Sequence, residues 1–431
     1  MKLRLLLGAL TLAAGLLAYA ADPTATHYNA TQCQGSAMPY PVPAELLEVP
    51  DSLTPVMVNH VGRHGARFLS SPRAVNDVRQ ALLDADSLGT ITRPGRRVLA
   101  LTDYLLNYCK GRWGALDSLG MAEQRGIASR MVRTYPRLFK DGRVRAVASK
   151  VPRCVNSMYT FLYQLTRLDS SVDITATSGP MESTLLRPFD TDAAYLDWRD
   201  EEVWRAPYDE FAATAAPLQP LIRLLGKEFP MQADEARSLV MSLYSMVAGM
   251  EAMSLKVDVA EIFTPEEYNA LWACHNLEQY LKRTATTLSM VPAEIAAPLL
   301  LDIINSTDAA VEASSKGGKN STDGTALPTA ILRFGHAETI MPLLSLMRLP
   351  GAYYMTNYFD TVGLHWHNFY VAPMASNLQM VIFRTRAGRY YVRFALNEVP
   401  VSLDPDTTPG FIPWEQARHR LLRCIPLYLR G

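Results

Sequence analysis

Charge of one sign is what this sequence of 431 residues most plainly lacks. Its 42 lysines and arginines balance 42 aspartates and glutamates. A bulk electrostatic grip on nucleic acid is therefore not expected, and any anion site has to be assembled locally. Cysteine is scarce. Cys33, Cys109, Cys154, Cys274 and Cys424 contain no C-x-x-C pair, which argues against a zinc ribbon. At most two disulfides can form, with one thiol left over. No P-loop is present, because Lys316-Gly317-Gly318-Lys319-Asn320-Ser321 lacks the Gly-x4-Gly-Lys-[Ser/Thr] spacing. Runs long enough to span a bilayer are also missing. The apolar stretch Leu5–Leu17 is short, follows Lys2 and Arg4, and ends at Ala18-Tyr19-Ala20. Those three parts predict a Sec signal peptide cleaved after Ala20, with no cysteine following to carry a lipid. Cleavage would remove two basic residues (42 − 2 = 40 against 42 acids), leaving a formal charge of −2. The expected location is a periplasm or the medium, with no stable membrane insertion afterwards.

The composition, 48% apolar and 19% charged, suits a large folded core. Residues 21–50, rich in Pro, Thr and Gln, read as an extended lead-in. Val56-Met57-Val58 reads as a buried strand ending at His60. Val144–Ala148 is a second strand, followed by Ser149-Lys150-Val151-Pro152-Arg153 and a helix from Val155 to Leu165. Ala330–Phe334 is a third, followed by Gly335-His336-Ala337-Glu338 and a helix through Met347. Further helices are expected over Val75–Ala85, Val98–Tyr108 and Leu119–Thr134. A terminal hairpin pairs Val381–Thr385 with Tyr390–Ala395. The middle of the chain is helical: Leu239, Leu243, Met246, Val247 and Met250 follow a 3.6-residue period, and Thr264-Pro265-Glu266-Glu267 is a capping box. The expected architecture is α/β, a mostly parallel core sheet flanked by helices (51–189 and 311–431) with an inserted, mostly helical cap (190–310). Ligands of open parallel sheets bind beyond the carboxyl ends of the strands, where the three loops would meet.

The first of those loops is the most distinctive. Val58–Leu69 reads VNHVGRHGARFL, two arginines and two histidines without an acid. Phosphoryl transfer needs fixed positive donors around the charged oxygens and a nucleophile in line with the leaving group. Arg63 and Arg67 flank His64, and guanidinium forks bind phosphate bidentately. They also disfavour a charged imidazole, which keeps His64 nucleophilic. Gly62 and Gly65 are expected to let the backbone approach the ligand closely. Arg153, at a strand end and helix start, is a further clamp. Glu338 is the candidate proton donor, its carboxyl raised by a bound phosphate dianion, and His336 a donor to the phosphoryl oxygens.

Arg63-His64-Gly65-Ala66-Arg67 resembles the signature of the histidine phosphatase superfamily, acid phosphatase branch. The branch usually carries a late His-Asp pair. His336-Ala337-Glu338 instead resembles the multiple inositol polyphosphate phosphatases, which include a class of phytases. Leu119-Gly120-Met121-Ala122-Glu123 and Asn397-Glu398 fall where the family has similar short patterns. The resemblance implies an α/β core with a helical cap and an active site between them. It implies His64 as the phosphorylated nucleophile, Arg63, Arg67 and Arg153 as phosphate ligands, Glu338 as proton donor, and no metal or organic cofactor. One departure is Leu69, where the branch commonly has proline.

His365-Trp366-His367 would put two imidazoles on one strand face, but no nearby cluster completes a metal site. His60 and Lys150 are candidate pocket residues, and His275 is expected in the core. Arg143–Arg153 holds four basic residues and no acid, so two basic loops would focus a field on one cleft. The expected partner is a small polyphosphorylated molecule, phytate foremost. A broad acid phosphatase and a non-catalytic anion-binding module are the alternatives.

Overall fold

A computed structural model describes residues 28–317 and 327–430. The expected signal peptide, the start of the lead-in and Gly318–Ser321 lie outside the described residues. Among the described residues no helix is long and apolar enough to cross a membrane.

The centre is one sheet. Its strands are β1 (Leu53–Arg63), β2 (Arg143–Ser149), β3 (Asp173–Gly179), β4 (Ala330–Gly335), β5 (Asn377–Thr385), β6 (Tyr390–Leu396) and β7 (Val399–Val401), with the short β8 (Ile412–Pro413) beside β6. The order is β3-β2-β4-β1-β5-β6-β7. The first four strands are parallel, and β1 pairs antiparallel with β5. β4 is buried along its whole length, as a central strand covered on both faces must be. Ala330, Leu332 and Phe334 point to one face and Ile331 to the other. Arg333 interrupts this run. Its guanidinium pairs with Asp302 at 2.5 Å and donates to Asn59 Oδ1 at 2.8 Å.

Helices cover both faces. The described helices used below are α1 (Arg73–Ser87), α2 (Arg93–Tyr108), α3 (Ser118–Thr134), α4 (Pro152–Leu168), α5 (Ala233–Ala248), α6 (Pro265–Arg283), α7 (Ala297–Ser315) and α8 (Ala337–Leu346). Ile127 and Met131 of α3 and Met158 and Phe161 of α4 pack under Val58, Leu332 and Phe334. Leu300 and Ile304 of α7 and Ile340 and Leu344 of α8 pack over Met57, Val61 and Ile331.

The helical cap differs from the expected 190–310 block. α7 packs on the sheet, so the core resumes before residue 311. α1 and α2, expected in the core, join α5 in a separate apolar cluster. Val75, Val78 and Leu82 of α1 recur at helical spacing, but that spacing says which face is buried and not what covers it. α6 links the two units. Its capping box forms as expected, with Glu267 N–H donating to Thr264 Oγ1 at 3.2 Å. Its first half places Leu271 and Trp272 in the cap cluster, and its second half places Leu277 and Tyr280 in the sheet cluster. The C-terminal end of α6 is thereby held over the ends of the parallel strands.

Candidate active site

Parallel register brings the loops together. Arg63 is opposite Gly335, and Ala148 is opposite Phe334. The peptide groups after β1 are fully engaged. Arg63 N–H donates to Ser376 O at 2.7 Å, His64 N–H to Gly335 O at 3.1 Å, Gly65 N–H to Ser157 Oγ at 3.1 Å, and Ala66 N–H to Glu123 Oε2 at 2.7 Å. These four N–H groups are therefore not free, and the loop's unspent donors are on its side chains. The two glycines serve packing rather than ligand approach. A Cβ on Gly62 would lie 2.5 Å from the His60 ring, and one on Gly65 would lie 2.4 Å from the Gly120 carbonyl oxygen of α3.

His64 is buried. Its Nδ1 lies 2.9 Å from Gly65 O, so Nδ1 carries the hydrogen and the lone pair is on Nε2. Burial, then the guanidinium groups of Arg63, Arg153 and Arg67, hold the imidazole well below the usual histidine range. Burial and mutual repulsion also bring Arg63 down to about 9 and Arg67 to about 10. Arg63 Nη1 is anchored on Ser36 O at 2.5 Å and Ala372 O at 2.8 Å, and Arg67 Nη1 on Phe68 O at 2.8 Å. The Nε atoms of Arg63, Arg67 and Arg153 are buried without partners among the described residues. Such crowded, under-paired cations are what an anion offsets.

His336 caps α8 and lies beside His64, with ring centroids 5.7 Å apart. Arg187 Nη1 donates to His336 Nε2 at 2.8 Å, and Ser149 Oγ is 2.9 Å from the same nitrogen. Arginine can only donate, and Arg187 approaches Nε2 more closely than Arg153 approaches Nδ1, so Nε2 is assigned as the acceptor and Nδ1 carries the hydrogen. Burial, opposed by the Glu338 carboxylate and helped by Arg187 and Arg153, brings this imidazole down to about 3. The ring is therefore neutral near pH 7. Arg153 Nη2 is 3.4 Å from Nδ1, which places that guanidinium beside the same ring.

Glu338 is set by opposing influences. Burial alone would raise its carboxyl, but Arg283 first, then His336, bring it down to about 2. Arg283 Nη2 lies 3.2 Å from Glu338 Oε1. In this structure the proposed donor is an ion-paired carboxylate.

Arg187 and Arg283 were not singled out in the sequence. Arg187 lies at the C-terminal end of the helical segment Pro180–Leu186 that directly follows β3, so it is not at a strand end and the strand–loop–helix pattern does not point to it. Arg283 had no local signal either, being the last residue of a capped helix. Glu123 sits in the short pattern after Gly120. It accepts from Tyr40 N at 2.8 Å as well as from Ala66 N, and burial raises it to about 7.

Several candidates fall elsewhere. His60 does not line a pocket: its ring is buried between Phe161 and Phe334, 5.6 and 5.5 Å away. Lys150 is exposed beside the site, and its backbone N–H donates to Ser183 Oγ at 3.0 Å. His275, expected in the core, instead lines a cavity of about 230 Å³ next to Arg67. His365 and His367 are not on a shared strand face. Val362–His365 is a helical turn, His365 stacks on Tyr354, and His367 lies 2.7 Å from Tyr28 Oη. Arg143 begins β2, at the end away from the site, so the basic run does not converge there as expected. Leu69 rests against Gly249 of the cap. All five cysteines are free thiols, and Cys154 is buried against His336. Asn397 and Glu398 brace the site from behind: Glu398 pairs with Arg130 at 2.7 Å and accepts from Tyr40 Oη.

Comparison with known proteins gives a consistent picture. The model of the histidine phosphatase superfamily (branch 2) matches residues 56–397. Human multiple inositol polyphosphate phosphatase 1 is 26% identical over 417 residues, covering 89% of this chain and 83% of that protein. The chicken protein of the same name is 24% identical over 367 residues, covering 82% and 78%. The crystal structure of Bifidobacterium longum multiple inositol polyphosphate phosphatase with inositol hexasulfate has a TM-score of 0.73 at 18% identity, covering 92% of this chain and 99% of that one. The phytase from D. castellii has a TM-score of 0.69 at 16% identity, covering 95% and 89%. At these identities the two structures establish a shared fold.

Proposed function

This chain belongs to the histidine phosphatase superfamily (branch 2), and from that premise we propose that it hydrolyses inositol polyphosphates, phytate foremost, through a phosphohistidine on His64. The observation that carries the reading is the neutral His64 imidazole, with its lone pair on Nε2, set among under-paired guanidinium groups. The relatives named above, multiple inositol polyphosphate phosphatases, supply the substrate class.

In the first step the Nε2 lone pair forms a P–N bond. The P–O bond to the inositol oxygen breaks with its electron pair, and a proton from Glu338 goes to that oxygen. In the second step water attacks phosphorus and gives a proton to the Glu338 carboxylate. The P–N bond breaks and returns the lone pair to Nε2. The sum is ester plus water giving alcohol and phosphate. Arg63, Arg67, Arg153 and the Nδ1–H of His336 hold the phosphoryl oxygens through both steps. Export by the N-terminal segment belongs to the same proposal.

The test is a rapid alkaline quench during turnover of phytate, followed by peptide mass spectrometry. The expected adduct is on the peptide containing His64. Turnover with no phosphorylated enzyme, or with the adduct on another residue, would overturn the mechanism.

A further inference from the structure

Glu338 and Arg283 line one cavity of about 550 Å³ that opens between the core and residues 189–205. Its size falls within the range of small-molecule sites, roughly 300–1,000 Å³. Lys282 and Arg205 line it too, and Lys282 Nζ stands 3.9 Å from the Trp204 ring centroid. The carboxylates paired with these cations are at least partly solvated: Glu202 holds Arg205 at 2.6 Å, and Glu278 holds Lys282 at 2.6 Å. Ion pairs of that kind are worth little, so a phosphate dianion can displace them. Arg283 has one further anchor, Nε donating to the neutral Gln279 Oε1 at 2.8 Å. Among the described residues it is the cation in this wall that pairs with Glu338, at 3.2 Å.

Resting on the reading of this site as an inositol polyphosphate phosphatase, we propose that the cavity is a second anion subsite. It takes a neighbouring phosphate of the same substrate, and Arg283 leaves Glu338 to bind that phosphate. The neighbouring phosphate thus does more than add affinity. It withdraws the counter-charge that keeps Glu338 ionised, so the carboxyl takes a proton from solvent before donating it to the leaving oxygen. Arg283 is a positioning residue in this scheme, acting through Glu338. The other groups facing Glu338 are His336 on its own loop, Arg63 and Arg67 after β1, and Tyr195 and Asp190 across the cavity. Arg63 and Arg67 are committed to the scissile phosphate, and Tyr195 and Asp190 bring no positive charge. Once Arg283 turns away, the largest of the charges that hold the carboxylate ionised is gone.

The scheme predicts that a monophosphate is turned over slowly because it leaves the Arg283–Glu338 pair intact. Two measurements test it on the full chain. The first compares kcat for inositol hexakisphosphate and an inositol monophosphate in wild type, Arg283→Met and Arg283→Lys. Arg283→Met should raise kcat for the monophosphate while leaving kcat for the hexakisphosphate nearly unchanged and raising its KM, compressing the kcat ratio by about tenfold or more. Arg283→Lys should recover most of the wild-type ratio. Equal loss on both substrates would overturn the proposal. The second measurement needs no turnover: calorimetry of inositol hexasulfate binding near pH 5 in buffers of different ionisation enthalpy. Wild type should take up close to one proton per site, and Arg283→Met much less. Binding to wild type without proton uptake would also overturn the proposal. Failure of wild type to hydrolyse the hexakisphosphate would instead remove the function on which it rests.

Discussion

Replacing Gly120 with alanine should cripple the site from behind while leaving the protein folded. Gly120 is on α3, against the loop that carries His64. A Cβ there would lie 2.2 Å from the Ala66 carbonyl oxygen and 2.6 Å from Ala66 N. Ordinary contacts begin near 3.4 Å, so helix and loop have to part by about 1 Å. Two hydrogen bonds span the same gap: Ala66 N–H to Glu123 Oε2 at 2.7 Å, and Gln124 Nε2–H to Arg63 O at 3.1 Å. Overpacking of this kind costs about 1–3 kcal/mol, and each weakened bond adds up to about 1 kcal/mol. A fall of several degrees in Tm is expected, short of unfolding. The catalytic loss should be larger, because a displacement of about 1 Å at the reacting group can cost about 100-fold in rate. The assay is kcat on phytate together with thermal melting. Gly126→Ala is the control on the same helix. Its Cβ would meet only the end of the flexible Arg130 side chain, at 3.1 Å. Wild-type kcat in Gly120→Ala would refute the claim that this close approach sets the position of His64.

Arg187→Met removes the donor to His336 Nε2, so the ring loses its fixed tautomer. kcat/KM on phytate should fall by about 100-fold with melting nearly unchanged, and an unchanged value would remove Arg187 from the site. His60→Phe should keep activity within about twofold, because the ring packs between Phe161 and Phe334 and binds nothing. His60 is also brought down to about 3 by burial and Arg333, so its stabilising share is complete above the unfolded value near 6.5. That share is lost as pH falls towards 3. His60→Phe should therefore flatten the acid decline of stability by about 1.4 kcal/mol per pH unit in that window, measured by denaturant titration at several pH values. Glu338 must be protonated to donate, and in the free enzyme its carboxyl is down at about 2. A bound phosphate dianion raises it, so the basic limb of kcat should lie at higher pH than that of kcat/KM. Coincident limbs would contradict this. The His64 acid limb should lie well below 6.5.

Much of the arrangement was legible because strand ends and chemistry coincide. Arg63, His64, Arg153 and His336 each follow a strand with a plain apolar run, and the parallel register does the rest. β3 was missed because, mostly exposed, it lacks the apolar run of the buried strands, and Arg187 was missed because it sits at the far end of the helical segment Pro180–Leu186 and not at a strand end. Arg283 was out of reach for another reason. Its role depends on where the end of α6 lies relative to α8, a tertiary relation with no local signature. The assignment of α1 and α2 to the cap was hidden in the same way, since amphipathic spacing does not name the partner. Gly62 and Gly65 show a subtler gap. Glycine signals close approach, but only the packing against His60 and Gly120 says what comes close.

The central claim is that His64 attacks a phosphate of an inositol polyphosphate. Its most direct test is phosphate release from phytate and from a simple aryl phosphate, side by side at mildly acid pH, in wild type and His64→Ala. The account predicts strong preference for phytate in wild type and loss of both activities in the variant. Undiminished release by His64→Ala, or no release from phytate by wild type, would contradict it.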